Sequence, residues 1–454
     1  MSKQFQSAEG FFSRNGSFSE NDFYNSDLCR SLRSDGANVF RYLAEEGRWN
    51  VLNGTKLTRH LLGFFPPDLR GKVPVPALER IGKKLTVDPA RIVDFDLCSQ
   101  KGRFLINARN GVIRIKSASL EKHNSEYYFT YCCSFNYIDD ADIRQAKAFC
   151  EFCRTSLDGS ESAMTRLLQM IGYVISSLEG AEKFFIFCGP SDCGKSVVLN
   201  LIEHIIGSEH IQAFPLSTIT AKQNLAELRY ARANINRELT SAKISHPDIL
   251  KSIVSNEKVT AERKFCQPEN FNVHTKLCFA GNALPQLSES DEANIALLNR
   301  MCILRFPHSI KNEDKYLDLL DKLITESNII ASAAVNTLKP LIESNYRFQT
   351  DPVSDDYMSV YAEHSKVLEH FIADRFVFGA DKSVHTSAVI SEYANYCREN
   401  GFDKTSSNRE VSNYIAALQG VSRDKFRLNG SVPLCGFRGI GFKSVSLLPS
   451  QLRI

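Results

Sequence analysis

From Lys183 to Ile202 the chain reads KFFIFCGPSDCGKSVVLNLI: an apolar run, a glycine-bearing loop and an amphipathic run, in that order. Gly189, Gly194, Lys195 and Ser196 satisfy the pattern G-x-x-x-x-G-K-[ST], and the flanking runs supply the strand before and the helix after that give it meaning. Glycines let the backbone turn its N–H groups toward phosphate oxygens, and the helix N-terminus adds a favourable dipole. Gly189, Pro190, Ser191, Asp192, Cys193, Gly194, Lys195 and Ser196 are thus expected to cradle a nucleoside triphosphate. In such a loop Lys195 reaches the β- and γ-phosphates and the Ser196 hydroxyl ligates Mg²⁺. The loop alone does not separate a kinase from a GTPase or a motor, so the acids and amides that follow must decide.

Residues 183–310 keep the alternation of an α/β nucleotide-binding core, with strands expected at 183–188, 233–236, 276–280 and 302–306. Glu238, just past the second strand, is placed to polarise an attacking water and to share the metal. Its neighbour Arg237 should leave on the opposite face, because strand side chains alternate. Asn282 ends the third strand, where an amide can hold the water and sense the γ-phosphate. Arg300 precedes the fourth strand and reads as a finger offered to a neighbouring subunit's ATP.

Around this core the chain is less regular. Residues 1–35, rich in Ser, Asn and Phe without a period, read as a flexible N-terminal arm. Residues 36–180 read as an α+β region, with short strands broken by Asn-Gly at 47–57 and 102–116 and helical spacing at 143–157 and 162–178. The ATPase region is set at 181–350, and a polar turn at 349–357 separates it from a last domain at 355–454. Three amphipathic segments followed by a Gly-punctuated, strand-like end give that domain a winged-helix pattern. Its charge is uneven, a net −5 over 351–400 and +5 over 401–454, against +3 for the whole chain. Ser407 and Glu410 form a capping box for a helix carrying Arg409 and Asn413. Arg423, Lys425, Arg427, Arg438 and Lys443 follow on the wing, an arrangement suited to duplex DNA.

Composition removes several classes. With 43% hydrophobic and 24% charged residues a folded chain is expected, and without a run of about 18 apolar residues no membrane partner is. The expected location is the cytoplasm, that of a bacterial host. The thirteen cysteines are scattered and odd in number, which suits reduced thiols. Cys150 and Cys153 form one CxxC downstream of Cys132-Cys133, but no second pair stands at finger spacing, and they are read as core and not as zinc ligands. Asp94 and Asp96 alternate as carboxylates do on a polymerase strand, lack a third acid, and are read as structural.

Taken in order, GPSDCGKS, the acid in NREL, KSIVSNEKVTAERKF, KLCFAGNALP and LLNRMCILRF resemble the superfamily 3 helicases, in particular the helicase half of phage and plasmid primase-helicases. RFLINARNGVIRIK through LLQMIGYVISS is similar to the domain preceding the ATPase in that family, and SEYANYCRENGF with FRGIGFK to its C-terminal winged helix. The resemblance implies a multidomain α/β chain: an AAA+ P-loop ATPase core, an α+β collar region before it and a winged helix after it. It implies a homohexameric ring that hydrolyses ATP with Mg²⁺ between subunits and moves on single- and double-stranded DNA. Lys195 and Ser196 would then hold phosphate and metal, Glu238 would activate water, Asn282 would be the sensor and Arg300 the finger in trans, with Arg305, inside a strand pattern and so less available, the second choice.

Between Glu238 and Asn282 this family carries a hairpin whose tip follows the DNA backbone. Lys258, Arg263, Lys264 and Phe265 are the matching residues, Lys264 foremost, with a turn at 267–270. The implied function is that of an ATP-dependent replicative DNA helicase of a mobile element, phage or plasmid, acting also in origin recognition or melting and leaving priming to a separate primase. A bifunctional primase-helicase and a DNA-binding ATPase switch or loader that does not unwind are the alternatives.

Overall fold

The computed structural model describes residues 7–95, 102–229, 231–239, 244, 246–262, 268–285, 291–310, 318–364, 367–401, 408–427 and 432–443. The segment expected to be an arm is folded over its described part. Helices α1 (Glu20–Tyr24) and α2 (Asp27–Arg30) are capped by Ser19 and Ser26, and Phe11 and Phe23 are buried. Phe23 packs with its ring centroid 5.0 Å from that of Phe65, and Phe11, Phe18 and Phe64 complete the cluster. Edge-to-face packing of this kind needs no sequence period, which is why the pattern of the segment concealed it.

Strands β1 (Arg33–Ser34), β2 (Val39–Leu43) and β3 (Arg48–Leu52) form an antiparallel sheet. Asn53-Gly54 does not turn into another strand but starts helix α3 (Thr55–Gly63), with Gly54 at φ 48°. Helix α4 (Val75–Val87) packs its apolar face on α3 and the aromatic cluster. The second Asn-Gly does mark a hairpin, but one residue out of place: Ala108 pairs with Gly111, so the turn is Arg109-Asn110 and the glycine opens the strand, with β4 (Leu105–Ala108) and β5 (Gly111–Arg114) extended by β6 (Ser119–Glu121). Helices α5 (Lys147–Ser156) and α6 (Glu161–Ile175) match the two helical runs.

The centre is a five-stranded parallel sheet of β7 (Phe184–Cys188), β8 (Ile211–Gln212), β9 (Ala233–Asn236), β12 (Lys276–Gly281) and β13 (Met301–Arg305), in the order β13-β7-β12-β9-β8. Strand β7 (Phe184–Cys188) feeds α7 (Lys195–Ile206). Then come the short β8 (Ile211–Gln212), β9 (Ala233–Asn236) and α8 (Pro247–Val254). An antiparallel hairpin, β10 (Lys258–Ala261) with β11 (Glu269–Asn272), precedes β12 (Lys276–Gly281), α9 (Asp291–Leu298) and β13 (Met301–Arg305). All four strands expected from the sequence are present; β8 gave no signal because it has two residues. Phe185 and Phe187 face one apolar cluster and Phe184, Ile186 and Cys188 the other, so β7 is a continuous apolar run because both faces are covered.

Helices α10 (Leu319–Thr325) and α11 (Ser327–Asn336) complete one face. Gly172 of α6 lies so close to α11 that a Cβ there would stand 2.4 Å from the Ala334 carbonyl. The expected boundary turn at 349–357 is a helix, α12 (Pro352–His364): Pro352 occupies its first turn and Asp351 accepts from the Ser354 amide at 3.0 Å. Ser354 Oγ accepts from the Arg305 amide at 2.9 Å, so α12 is fastened to the sheet, and the expected domain start at 355 falls inside it.

Beyond α12 come α13 (Val367–Arg375), β14 (Phe376–His385), α14 (Thr386–Glu399), α15 (Asn408–Ala417), β15 (Ser422–Phe426) and β16 (Leu434–Phe442), with the sheet order β14-β16-β15. Strand β14 breaks the expected run of three helices. Its exposed, charged middle, from Gly379 to Lys382, hides the alternation a strand shows. Among the described residues no helix is long and apolar enough to cross a membrane. Replacing Phe23 by Ala should leave a cavity among four rings and cost the N-terminal unit about 3–5 kcal/mol. Faster proteolysis and hydrogen exchange over residues 7–35, with the parallel sheet still protected, is the expected readout.

Candidate functional site

The loop after β7 is held by its neighbours. The Gly189 amide donates to the Gly281 carbonyl at 3.2 Å, and a Cβ on Gly189 would stand 2.5 Å from the Phe306 carbonyl oxygen. Gly194 has φ 102°, and a Cβ there would meet Phe152 at 2.6 Å. The two glycines of the sequence pattern are therefore fixed by strand packing at one end and by α5 at the other. Ser309 Oγ donates to the Ser191 carbonyl at 2.8 Å and the Ile310 amide to the Asp192 carbonyl at 2.9 Å, which pins the outer rim. Lys195 Nζ donates to the carbonyls of Gly189, at 2.8 Å, and Pro190, and lies 3.3 Å from Cys193 Sγ. Ser196 is exposed, and its hydroxyl has no partner among the described residues.

Beside the loop lies a cavity of about 620 Å³. Ala148 and Phe152 of α5, Val197 of α7, Ile310 and Leu319 form an apolar wall, and Lys147 and Lys322 also line it. A slot of this composition next to a phosphate-type loop suits a planar base. Sequence reasoning found α5 but gave it only a core role, since spacing within a helix does not say what the helix lies against. Its cysteines take no part: Cys153 is buried, with burial pushing its thiol pKa up, and Cys150 Sγ donates to the Ile143 carbonyl at 3.3 Å.

The carboxyl ends of the strands bring Glu238 and Asn282 to the loop. Gly281 pairs with Cys188, so Asn282 emerges beside Gly189. Phe279 pairs with Asn236, which places Glu238 on the far side of β12. Both are exposed, with no side-chain partner among the described residues. Arg237 takes the opposite direction, as alternation requires: it reaches α7, donating to Asn200 Oδ1 at 2.7 Å and pairing with Glu203.

Two arginines bracket β13. Arg305 is its last residue and not interior, with Nη1 3.5 Å from Cys188 Sγ and the guanidinium 4.4 Å from the Tyr357 ring centroid. The Tyr357 phenol is pushed up to about 12, by burial first and then by Cys188. Arg305 is therefore more available, and closer to its own chain's loop, than the strand pattern suggested. Arg300 sits at the opposite edge of the sheet, where it donates to Ser255 Oγ at 3.0 Å and pairs with Glu182 at 3.3 Å. It is not assembled with Lys195, Glu238 and Asn282 within one chain.

The remaining expectations divide. Lys258 is not at a hairpin tip but at its base, exposed and paired with Asn272, because β10 begins there. Glu269 and Asn270 are in β11, so the turn is not at 267–270. Arg263, Lys264 and Phe265 lie outside the described residues, as do Asp96, Ser407 and the side chain of Glu410; Asp94 is exposed. Arg409, Asn413, Arg423, Lys425 and Arg427 are all exposed, and Arg423 donates to Asn413 Oδ1 at 2.7 Å across α15 and β15. Arg438 pairs with Asp424 over the Phe426 ring, whereas Lys443 turns back to α13 and donates to the Ala373 carbonyl. No group of three or more possible metal ligands occurs among the described residues.

Comparison with known proteins places this geometry among partial likenesses. Residues 84–158 match a family described as D5 N terminal like, and residues 187–300 a family of unknown function, DUF5906. A curated protein of Acanthamoeba polyphaga mimivirus, "Putative helicase L207/L206", is 20% identical over 200 residues, 42% of this chain and 21% of that protein. The chain thus spans about a fifth of the length of this relative. Among solved structures, an apo form of the NrS-1 C-terminal region aligns with a TM-score of 0.49 at 11% identity, covering 92% of this chain and 98% of that one. A structure of NrS-1 residues 305–718 gives 0.46 at 11%, with the same coverage. Gly189 to Ser196, Glu238, Asn282 and Arg300 fall inside one matched segment and Phe152 inside the other, so the cavity is built from both.

Proposed function

We propose that this chain is a ring-forming superfamily 3 helicase, with an AAA+ core and a C-terminal winged helix, that hydrolyses ATP with Mg²⁺ to separate DNA strands during replication of a mobile element, phage or plasmid. The observation that carries this reading is the position of β12. It lies between the strand that feeds the loop and the strand that leads to Glu238, so Asn282 stands between phosphate cradle and acid. The viral helicase relative agrees with it. The order α13-β14-α14-α15-β15-β16, with exposed cations on α15 and β15, supports a winged helix that binds duplex.

On nucleotide binding, loop amides and Lys195 take the phosphates, the lysine exchanging its own loop carbonyls for phosphate oxygens. The uncommitted Ser196 hydroxyl and Glu238 carboxylate are the groups that would hold Mg²⁺, which when bound neutralises charge on the β- and γ-oxygens. Glu238 orients the attacking water and Asn282 holds it against the γ-phosphate. Arg300, at the far edge, serves the site of a neighbouring subunit, and Arg305 serves its own. The β10–β11 hairpin is inserted between Glu238 and Asn282, so a shift of β12 against β9 moves the hairpin that grips the backbone.

Purified protein with ATP should separate a tailed DNA duplex, and Lys195→Ala should lower hydrolysis about 100-fold or more and stop separation. DNA-stimulated hydrolysis without any strand separation would replace the helicase by an ATPase switch. Phe152→Ala should raise KM for ATP about tenfold with kcat little changed, because it removes a contact made equally before and during reaction. Mixing separates the arginines. Lys195→Ala and Arg300→Ala subunits together should hydrolyse more than either alone, since one interface of the mixture retains a whole site. Lys195→Ala with Arg305→Ala should not; recovery there would assign Arg305 to the neighbouring site.

A further inference from the structure

We infer that Arg232 and His274 form a second anion site, separate from the nucleotide loop and suited to a phosphoryl oxyanion, carried either by a DNA strand or by free phosphate. Arg232 stands immediately before β9 and His274 two residues before β12, so both lie at the amino-terminal edge of the parallel sheet, opposite the loop. The Lys276 amide donates to the Arg232 carbonyl at 3.0 Å, which locks the two strand starts together.

Arg232 is 6% exposed, makes no ion pair among the described residues, and has no acceptor for its buried Nε and Nη2. Its guanidinium lies 4.5 Å from the centroid of the Tyr131 ring, a contact that brings it no carboxylate. Arg166, buried to the same degree, shows how the chain treats such a group when it supplies the partners itself: Asp355 at 2.6 Å, with the carbonyls of Gln349 and Ile303. Around Arg232 the chain supplies mostly further positive charge. Lys276 is buried, its amine pushed down to about 7 by burial and then by Arg232. The neighbouring carboxylate, Glu179, is engaged by His274 Nδ1 at 2.6 Å, which leaves the buried Nε2 of His274 without a partner. A guanidinium whose buried N–H groups lack an acceptor from the chain calls for one from outside, and beside it the unpartnered Nε2 of His274 donates to the same acceptor when the imidazole is protonated.

Both residues line one cavity of about 50 Å³, walled by Phe95, Tyr128 and Tyr131. That is space for roughly three to five waters, which matches a tetrahedral oxyanion and excludes a base or sugar. Half-buried Tyr128 and Thr130 carry the cavity to the surface. Arg229, which also lines the cavity, pairs at 2.7 Å with Glu269 at the loop end of the β10–β11 hairpin, so a strand followed by that hairpin passes close to the cavity.

The test uses the full chain carrying Lys195→Ala, so that the nucleotide loop does not contribute. Calorimetric titration with inorganic phosphate should still show saturable binding, weakened at least tenfold by adding Arg232→Gln and several-fold by adding His274→Ala. Should Arg232→Gln unfold the protein, His274→Ala and a crystal soaked with selenate decide, the anomalous signal falling within hydrogen-bond distance of Arg232. Competition by a short single-stranded oligonucleotide assigns the oxyanion to DNA; binding of phosphate without such competition assigns it to free phosphate. Phosphate binding unaffected by both substitutions, or a cavity holding water alone in the soaked crystal, would overturn the inference. Neither result depends on whether the chain unwinds DNA.

Discussion

One backbone hydrogen bond, from the Gly189 amide to the Gly281 carbonyl, sets where every group of the candidate site can stand. It joins the first residue of the loop to the last residue of β12 and continues the register in which Gly281 faces Cys188. Three chain segments crowd this point. A Cβ on Gly189 would strike Phe306, and one on Gly281 would stand 2.8 Å from Leu239, the residue after Glu238. The loop, the strand bearing Asn282 and the segment bearing Glu238 are therefore mutually fixed by close backbone approach, not by side-chain contacts. That leaves Ser196, Glu238 and Asn282 uncommitted at the edge where phosphate chemistry would occur, an economical way to preorganise polar groups without neutralising them.

The same edge is wired to the C-terminal region. Cys188, the last residue of β7, touches both the Asn282 carbonyl, at 3.8 Å, and Tyr357 of α12, at 3.7 Å. Arg305 stacks on that tyrosine, Tyr361 Oη donates to the Pro285 carbonyl, and the Arg166–Asp355 pair clamps the start of the helix. The loop, the strand end bearing Asn282 and α12 are thus in direct contact through Cys188. In chain order the helix precedes the elements whose exposed cations line α15 and β15, so the segment expected to be a boundary turn is a helix packed on the sheet.

What was legible in the sequence follows from periodicity. The four strands and the loop were readable because a strand covered on both faces is an uninterrupted apolar run, and because the loop needs its glycines for space. The hairpin at Arg109-Asn110 was readable through Asn110-Gly111, although the pairing of Gly111 with Ala108 sets the turn one residue earlier. Other features had no such mark. The aromatic cluster around Phe23 has irregular spacing. The polar start of α12 imitates a turn, although Pro352 at a helix start is equally a beginning. The wall formed by Ala148 and Phe152 depends on which helix lies beside the loop, a matter of tertiary arrangement. Arg232 was passed over because a lone arginine before a strand looks the same in sequence whether it meets solvent, a carboxylate or a cavity.

The three arginines around β13 can be ranked by what each would lose on moving. Arg166 is buried and donates to Asp355 and two carbonyls; withdrawing it would break all three contacts at once, so it is a fixture. Arg305 has a thiol and an aromatic face for company, contacts weak enough to exchange for a phosphate oxygen, but its position beside Cys188 confines it to its own loop. Arg300 is held by a hydroxyl, the Ala296 carbonyl and a half-exposed Glu182 at 3.3 Å, a surface pair worth about 0–1 kcal/mol. Its side chain can therefore be re-aimed cheaply, away from its own loop and toward whatever docks on the amino-terminal edge of the sheet. In the proposed ring that edge is where Arg300 would meet the loop of a second copy of the chain.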